Sequence, residues 1–409
     1  MLRSLAGRAS RRRPSLHHAR FLQPGLPAFW LFVGIVVASG LVALAEQGLY
    51  LGISASGWTL SWLLLALYAL PVFCVVYFLD LYERAPLSLV IAAFVWGAVA
   101  ATTLSAVGNA GWGLTVARLG GPEFAARWTA ALTAPFVEET LKGCGVVFIW
   151  MIARAEIDDI LDGFVYGALC GLGFAVVEDM FYFMSVFGGE PAGVLRGFFV
   201  RVIATGLYSH VLYTGLVGMA VGVVVSRRAT EPLARRLWIA AGLCALAVFG
   251  HFLWNSPLLD LFPAEPWTGA DWLVVFVATG VKGLPLLGFV GVAVVLARRR
   301  EHRWLHEALS TEVGRDGISA GELAVLASPA RRRDARAAMR RRAGSTAASL
   351  LRRLQREQVN LAMVASRGRS GDDPALARQR DLCRSLRDGL QAIPGAAPAQ
   401  TEPGAGQRG

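Results

Sequence analysis

A hydrophobic run from about Trp128 to Ile152 is long enough to cross a bilayer, which takes ~20 residues. Within it lie three ionisable side chains, Glu138, Glu139 and Lys142. Because a charge near the bilayer centre costs at least ~2.5 kcal/mol, such residues generally face the protein interior and serve a function. The run therefore predicts a polytopic membrane protein that contains a polar site.

The spacing of the three charges favours acid/base chemistry. On a helix, Lys142 follows Glu138 by four residues and Glu139 by three, so its ammonium can neutralise one carboxylate. The other carboxylate is then available as a general base. Of 40 basic residues only Lys142 and Lys282 are lysines, and both fall in predicted spans. The competing interpretation is structural, with the cluster only pinning helices together.

The composition agrees with a membrane protein, since 55% of the residues are hydrophobic and the mean hydropathy is +0.49. We predict an all-α polytopic fold with about eight transmembrane helices, at roughly 27–46, 58–79, 87–109, 128–152, 162–187, 198–226, 237–258 and 271–297. Residues 1–26 then form a basic N-terminal tail and residues 27–297 the transmembrane domain. Residues 298–409 form a basic C-terminal tail, which we expect to be partly helical and disordered at its end.

Arginines indicate the orientation. They are frequent in the N-terminal tail, in the loop 226–237 and after residue 296, and absent from the loops near 47–57 and 259–270. The positive-inside rule then predicts a multi-pass protein of the cell membrane with both termini cytoplasmic. The net charge of +11 reflects this topology and attraction to anionic lipid. Because the basic tail has no aromatic platform, no nucleic-acid partner is expected.

In the C-terminal tail, arginine runs at 331–333 and 340–342 precede several apolar residues. This pattern predicts an amphipathic helix that lies on anionic lipid, with an apolar face formed by Leu350, Leu351, Leu354, Val359 and Leu361.

Other spans also carry polar residues that hydropathy does not explain. Counted from the predicted outer ends at 1.5 Å per residue, they lie ~10–18 Å deep, in one layer of the membrane. They are Glu178 with Asp179, His210, His251 with Asn255, and Lys282. We expect all of them to converge with the Glu-Glu-Lys cluster except Asp179, which is predicted to turn toward the outer side of the membrane.

Small residues predict how two of these spans pack. Glycines recur every three or four residues on the fifth and sixth spans, which lets helix backbones approach closely in lipid: Gly163, Gly167 and Gly171, and Gly215, Gly218 and Gly222. Asp162 is predicted to be the N-cap of the fifth span.

The residues fit peptide hydrolysis in two ways. In the first, one glutamate is the base, and His251 with Asn255, four residues apart on one helical face, donates to the oxyanion. In the second, Glu178, His210 and His251 hold zinc with an open position for water. No His-Glu-x-x-His spacing selects the metal version, so both stay open.

These motifs resemble those of a known family. Glu138-Glu139-Thr140-Leu141-Lys142 resembles the Glu-Glu-x-x-Lys signature of the PrsW family of intramembrane proteases, and Phe174 to Glu178 resembles its Phe-x-x-x-Glu motif. His210 and His251 match its two later histidines, and the resemblance covers roughly residues 60–300. It implies an intramembrane protease of a family labelled as metalloproteases, with a membrane-anchored substrate such as an anti-sigma factor.

More distantly, the chain resembles the CAAX prenyl endopeptidase and bacteriocin-processing superfamily, for which a metal-free glutamate mechanism is implied. Carried over, Glu138 is the base, and His251 with Asn255 binds the oxyanion. Glu178 stands where that superfamily has histidine, so His210 would have to take over in activating water. The resemblance thus implies a catalytic set of Glu138, Glu139, Lys142, Glu178, His210, His251 and Asn255.

Three functions compete at this point. The main prediction is an endopeptidase that cuts a single-pass protein near the outer side of the bilayer, where the polar layer lies. A prenyl-protein or bacteriocin-type protease would act near a cytoplasmic terminus instead. A proton-coupled transporter or a scaffold would keep the polar layer without proteolysis, but a transporter more often shows a half-to-half repeat, and none is evident.

Overall fold

The computed structural model describes residues 20–79, 85–154, 156–204, 210–226, 231–258, 269–315, 317–366 and 373–396. These residues fall into two compact units, one up to residue 295 and one from residue 296. Across the described ranges the fold is all-α, as predicted, with one isolated bridge between Val313 and Ile318. The predicted disordered end and most of the N-terminal tail lie outside these ranges, and the predicted domain boundaries stay predictions.

The first unit consists of long helices. They are α1 (Pro27–Ile53), α2 (Ala55–Tyr77), α3 (Leu87–Gly120), α4 (Pro122–Ile152), α5 (Ile160–Val186), α6 (Pro191–Phe198, continued by a π-helical turn Phe199–Ala204), α7 (His210–Val225), α8 (Leu233–Asn255) and α9 (Gly269–Ser310), the last up to residue 295.

Six of the described helices, α1, α2, α3, α5, α8 and α9, are long and apolar enough to cross a membrane. The predicted number of eight is not confirmed. Helix α7 is apolar but has only 16 residues, and α4 contains three charged residues in its apolar part. The chain is a multi-pass membrane protein, and large apolar side chains remain exposed along these helices, as lipid contact requires.

Helices α5 and α7 pack through their glycines, as predicted. A Cβ on Gly163 would collide with the carbonyl oxygen of Gly218, and one on Gly171 would collide with that of His210. Because both backbones approach so closely, the first residue of α7, His210, is held directly against α5. The glycine faces thus fix the position of a predicted site residue.

Helices α3 and α4 meet at a π-helical turn, Trp96–Ala101, in the middle of α3. The indole Nε1 of Trp96 donates to the carbonyl oxygen of Leu141 at 2.9 Å, one residue before Lys142. On α4, Pro135 lies one turn before the two glutamates and has no N–H for the helical ladder. Both features are local irregularities of the helix backbone next to the charged residues. Single π-helical turns of this kind occur frequently at functional sites.

The prediction that Asp162 is the N-cap of α5 is wrong. Asp159 is the N-cap, and its carboxylate accepts from the backbone N–H groups of Leu161 and Asp162. The carboxylate of Asp162 accepts in return from the N–H of Asp159, which forms a capping box. The acidic segment before α5 contains several residues that could cap the helix, and the geometry of the turn makes Asp159 the N-cap.

The second unit contains the end of α9, α10 (Ala320–Leu326), α11 (Pro329–Ser366, kinked at Gly344) and α12 (Pro374–Gln391). Its core includes Leu305, Leu326, Leu361 and Cys383. Two arginine–carboxylate pairs brace it, Arg380 with Glu312 and Arg387 with Glu322.

This core corrects the expectation of a lipid-facing apolar helix. Leu354, Val359 and Leu361 are buried inside the second unit, and Leu350 and Leu351 pack against the same core. Because their apolar surface is already covered by protein, it is not available to lipid. The arginines that remain exposed on α11 include Arg331, Arg333, Arg340, Arg341 and Arg342.

Candidate active site

The centre of the site is Lys142, which is fully buried together with both glutamates of its motif (Glu138 is 3% exposed and Glu139 2%). Its Nζ lies 2.8 Å from Oε1 of Glu139 and 3.3 Å from Oε2 of Glu138. The same ammonium lies 3.8 Å from the ring centroid of Phe174, on α5. The helical spacing of three and four residues thus produces the expected ion cluster.

His210 joins this cluster from α7. Its Nδ1 lies 2.8 Å from Nζ of Lys142 and its Nε2 lies 3.1 Å from Oε2 of Glu178. An ammonium has no acceptor, so Nδ1 must accept from Lys142 and the ring proton is on Nε2, donated to Glu178. Glu178 therefore orients the imidazole from the side opposite to Lys142.

His251 joins from α8. Its Nδ1 lies 3.1 Å from Oε1 of Glu139 and its Nε2 lies 3.8 Å from Oε2 of Glu138. Its ring stacks on Tyr213, with centroids 5.0 Å apart and planes within 8°. Four helices, α4, α5, α7 and α8, thus contribute to one buried polar centre.

The two glutamates have different surroundings. Both oxygens of Glu139 are engaged, Oε1 by Lys142 and His251, and Oε2 by the hydroxyl of Thr214 at 2.9 Å. Glu138 accepts from Nδ2 of Asn109 at 3.0 Å and, over a longer distance, from Lys142. Glu139 is therefore fixed by three hydrogen bonds, whereas Glu138 has more unoccupied lone pairs and can accept a proton.

Beyond Glu178 lies Arg201, on the π-helical turn after α6. Its Nη2 lies 2.6 Å from Oε2 of Glu178 and its Nε lies 2.6 Å from Oδ1 of Asp179, while the guanidinium covers the ring of Tyr182 at 3.6 Å. One planar cation thus bridges two neighbouring carboxylates. Asp179 is buried, 4% exposed, and belongs to this ion network.

Two residues of the predicted polar layer lie apart from the centre. The amide Nδ2 of Asn255 lies 3.4 Å from the carbonyl oxygen of Ala130, and no contact with the glutamates is seen among the described residues. Nζ of Lys282 lies 3.4 Å from the carbonyl oxygen of Trp254 and 3.5 Å from that of Ser256, at the end of α8. A cation there complements the helix C-terminus.

The sequence analysis missed Asn109, Arg201, Tyr213 and Thr214. Thr214 carried a usable signal, because it follows His210 by four residues and shares its helical face. Asn109 is a polar residue in an otherwise apolar stretch of α3, which was a weaker signal. Nothing in the pattern pointed to Arg201, since an arginine at the end of a span commonly extends to the interface.

The donor set of the centre suits a metal ion. Donor atoms of Glu138, Glu139, His210 and His251 lie within 4.8 Å of one another, and all four residues are buried. Imidazole nitrogen and carboxylate oxygen are zinc ligands. The grouping differs from the predicted ligand set, because Glu178 faces the other nitrogen of His210. Lys142 contacts donor atoms of both glutamates and of His210, so ammonium and metal compete for the same atoms.

Known proteins match the part of the chain that carries this site. Residues 85–281 match the model of a family described as PrsW family intramembrane metalloprotease. The chain is also 29% identical over 167 residues to Protease PrsW of Bacillus subtilis (strain 168), which covers 41% of this chain and 68% of that protein. No solved structure matches.

The matched residues include the Glu-Glu-x-x-Lys helix, the Phe-x-x-x-Glu helix and both histidines of the buried centre. Residues 85–281 are thus similar to the PrsW family of intramembrane proteases, and the protein is an intramembrane peptide hydrolase.

Proposed function

We propose that this endopeptidase hydrolyses a peptide bond of a membrane-anchored protein near the outer side of the bilayer, with Glu138 as the general base. The observation that carries the proposal is the unequal pair of buried glutamates. Glu139 is held by Lys142, His251 and Thr214, whereas Glu138 keeps free lone pairs in the same centre. Such a pair separates a structural carboxylate from a reactive one.

The other residues take supporting roles. Lys142 and Glu178 fix the orientation of His210 through its two ring nitrogens. His251 lies beside both glutamates and can donate to an oxyanion when substrate enters. Asn255 follows one turn later on α8 and would join it by turning its amide away from the carbonyl oxygen of Ala130. Glu138 takes a proton from water and returns it to the leaving amine.

A metal would use the same centre. His210, His251 and Glu139 would hold zinc, while Glu138 remains the base. When bound, the ion supplies a Lewis acid for the scissile carbonyl. Every other residue keeps the role given above. Because the metal version and the metal-free version share these residues, the cleavage assay also compares turnover with and without a chelator.

The depth of cleavage follows from the topology. With eight crossings and both termini cytoplasmic, as the sequence predicts, α5 and α8 run outward. Glu178 lies eight residues before the end of α5 and His251 four residues before the end of α8, which supports a site in the outer half of the membrane. The family resemblance makes a membrane-anchored anti-sigma factor the first substrate to test. The exposed arginines of α11 support contact with anionic lipid.

The test is a cleavage assay in proteoliposomes on a panel of single-pass membrane proteins, including anti-sigma factors. Glu138→Gln should abolish turnover without lowering the amount of inserted protein. The matched control is Glu46→Gln, in α1, whose carboxylate accepts from Tyr50 and not from the centre. Loss of turnover with a chelator and recovery with zinc would establish the metal version, and indifference to the chelator the metal-free version.

Absence of turnover by the wild type on every substrate would count against the proposal. That result would favour the alternative function, a proton-coupled transporter or a scaffold that keeps the polar centre without proteolysis.

A further inference from the structure

Helices α3 and α4 touch where Gly108 faces Val137. A Cβ on Gly108 would lie 2.6 Å from Cγ1 of Val137, so the missing side chain lets Val137 pack on the α3 backbone. The residues that follow, Asn109 on α3 and Glu138 on α4, are therefore also in contact. Nδ2 of Asn109 donates to Oε1 of Glu138 at 3.0 Å. Asn109 is thus joined directly to the proposed base.

The other end of the same amide is buried and, within the described part of the chain, has no hydrogen-bond partner. Oδ1 of Asn109 is buried without a hydrogen bond among the described residues, and so is Oγ of Ser105. Ser105 precedes Asn109 by four residues and therefore lies on the same face of α3. A buried polar group without a hydrogen bond costs ~1–3 kcal/mol. Two such groups on one face of α3 therefore indicate a hydrogen-bond partner that both of them contact.

Water is the partner that fits. A buried water needs ~2–4 polar neighbours, and Oδ1 of Asn109, Oγ of Ser105 and the carboxylate of Glu138 supply that number. A hydrolase whose base is buried among helices must also keep water beside that base. We propose that Asn109 and Ser105 hold the nucleophilic water against Glu138. This rests on the proposed role of Glu138 as the general base.

The step balances with these groups. One O–H of the water donates to Oδ1 of Asn109, which aims the oxygen lone pair at the scissile carbonyl carbon. The other proton passes to Glu138 as the new C–O bond forms. When the C–N bond breaks, that proton moves from Glu138 to the leaving nitrogen, which gives a carboxylic acid and an amine. The acid still carries the second proton of the water and passes it to the amine, so the products leave as a carboxylate and an ammonium.

The water can be detected without a substrate, because the chain contains only three asparagines, Asn109, Asn255 and Asn360. We would label the full-length protein with ¹⁵N-asparagine in lipid nanodiscs and measure magnetisation transfer from water to the side-chain amides. Asn109→Leu identifies its own signal. Asn360, bonded to Glu357, is a reference in the second unit.

The expected result is transfer from a long-lived water to the Asn109 amide, reduced in Ser105→Ala and unchanged in Ser61→Ala. Ser61 is a buried serine of α2 whose hydroxyl donates to the carbonyl oxygen of Gly57, so it is a matched control. A dry Asn109 amide in the wild type would overturn the proposal, whatever the protein cleaves.

Kinetics separate a reacting water from a structural one. On any substrate that the wild type cleaves, Asn109→Leu should lower kcat by ~10²-fold or more and leave KM unchanged, as for loss of a group that acts only in the transition state. Asn109→Gln keeps the amide but displaces it, and covers the case in which Asn109→Leu reduces folding. A bound water with unchanged kcat in both variants would overturn the catalytic role.

The two proposals fail separately. If no substrate is cleaved, the proposed function fails while the water signal still decides whether Asn109 and Ser105 hold water. If Glu138→Gln abolishes cleavage but the Asn109 variants do not alter kcat, the proposed function stands and the water site is rejected.

Discussion

Nζ of Lys142 lies 2.8 Å from Nδ1 of His210, so one buried ammonium on α4 fixes the tautomer of a histidine on α7. The same ammonium contacts both glutamates of its own helix. Because three hydrogen-bond donors of one compact cation serve three different side chains, the size and shape of that cation matter as much as its charge.

Lys142→Arg should therefore lower cleavage by at least ~10²-fold, although the charge is kept. A planar guanidinium cannot fit the fully buried position and reach all three partners. The measurement is kcat in proteoliposomes at equal protein abundance. Lys282→Arg, at the end of α8, is the matched control and should remain within ~3-fold of the wild type. Equal loss in both variants would contradict a specific role for Lys142.

Arg201 is expected to be a positioning residue, because its contact with the centre among the described residues runs through Glu178. Arg201→Gln leaves Glu178 and Asp179 adjacent without their cation, a change that costs ~3–5 kcal/mol for a buried pair. We expect kcat to fall by ~10²-fold with KM unchanged, and Arg201→Lys to recover part of it. Arg196→Gln, exposed on α6, is the control. A change in KM alone would instead indicate a substrate contact.

Gly167→Ala should destabilise the membrane unit. Its Cβ would collide with the carbonyl oxygen of Thr214, and overpacking of this kind costs ~1–3 kcal/mol. The thermal midpoint should fall by ~2–10 °C, and cleavage should fall with it, since Thr214 and His210 lie on the displaced helix. Gly242→Ala, with open space around it, should leave the midpoint unchanged or raise it. Similar midpoints for both variants would argue against the glycine contact.

Cys383 should resist alkylation in the folded protein. Burial in the core of the second unit raises the pKa of its thiol to about 12, so the reactive thiolate is scarce at pH 8. Mass-spectrometric mapping after maleimide treatment should find Cys383 modified only after unfolding. Ser345→Cys, at an exposed position of α11, is the matched control and should react readily. Rapid native labelling of Cys383 would mean that this core is not formed.

The fold was largely predictable because lipid imposes simple rules. Apolar runs become helices since every backbone group must be satisfied within the membrane, and the glycine faces of α5 and α7 pack as their spacing indicated. The apolar positions of α11 were assigned to lipid although they fill a protein core. An amphipathic pattern indicates that the apolar face of a helix is covered, but it does not show whether lipid or protein covers it.

By itself, the sequence determined that Glu138, Glu139 and Lys142 share one helical face, and that two histidines and Glu178 had to avoid lipid. Only the tertiary structure decided which glutamate is held, which nitrogen of His210 faces Lys142, and that Asn109 and Arg201 belong to the site. Asn109 and Arg201 are 29 and 23 residues away from their partners, Glu138 and Glu178. The reason is physical: helical spacing fixes neighbours along one helix, whereas contacts between helices depend on rotation and approach set by packing elsewhere.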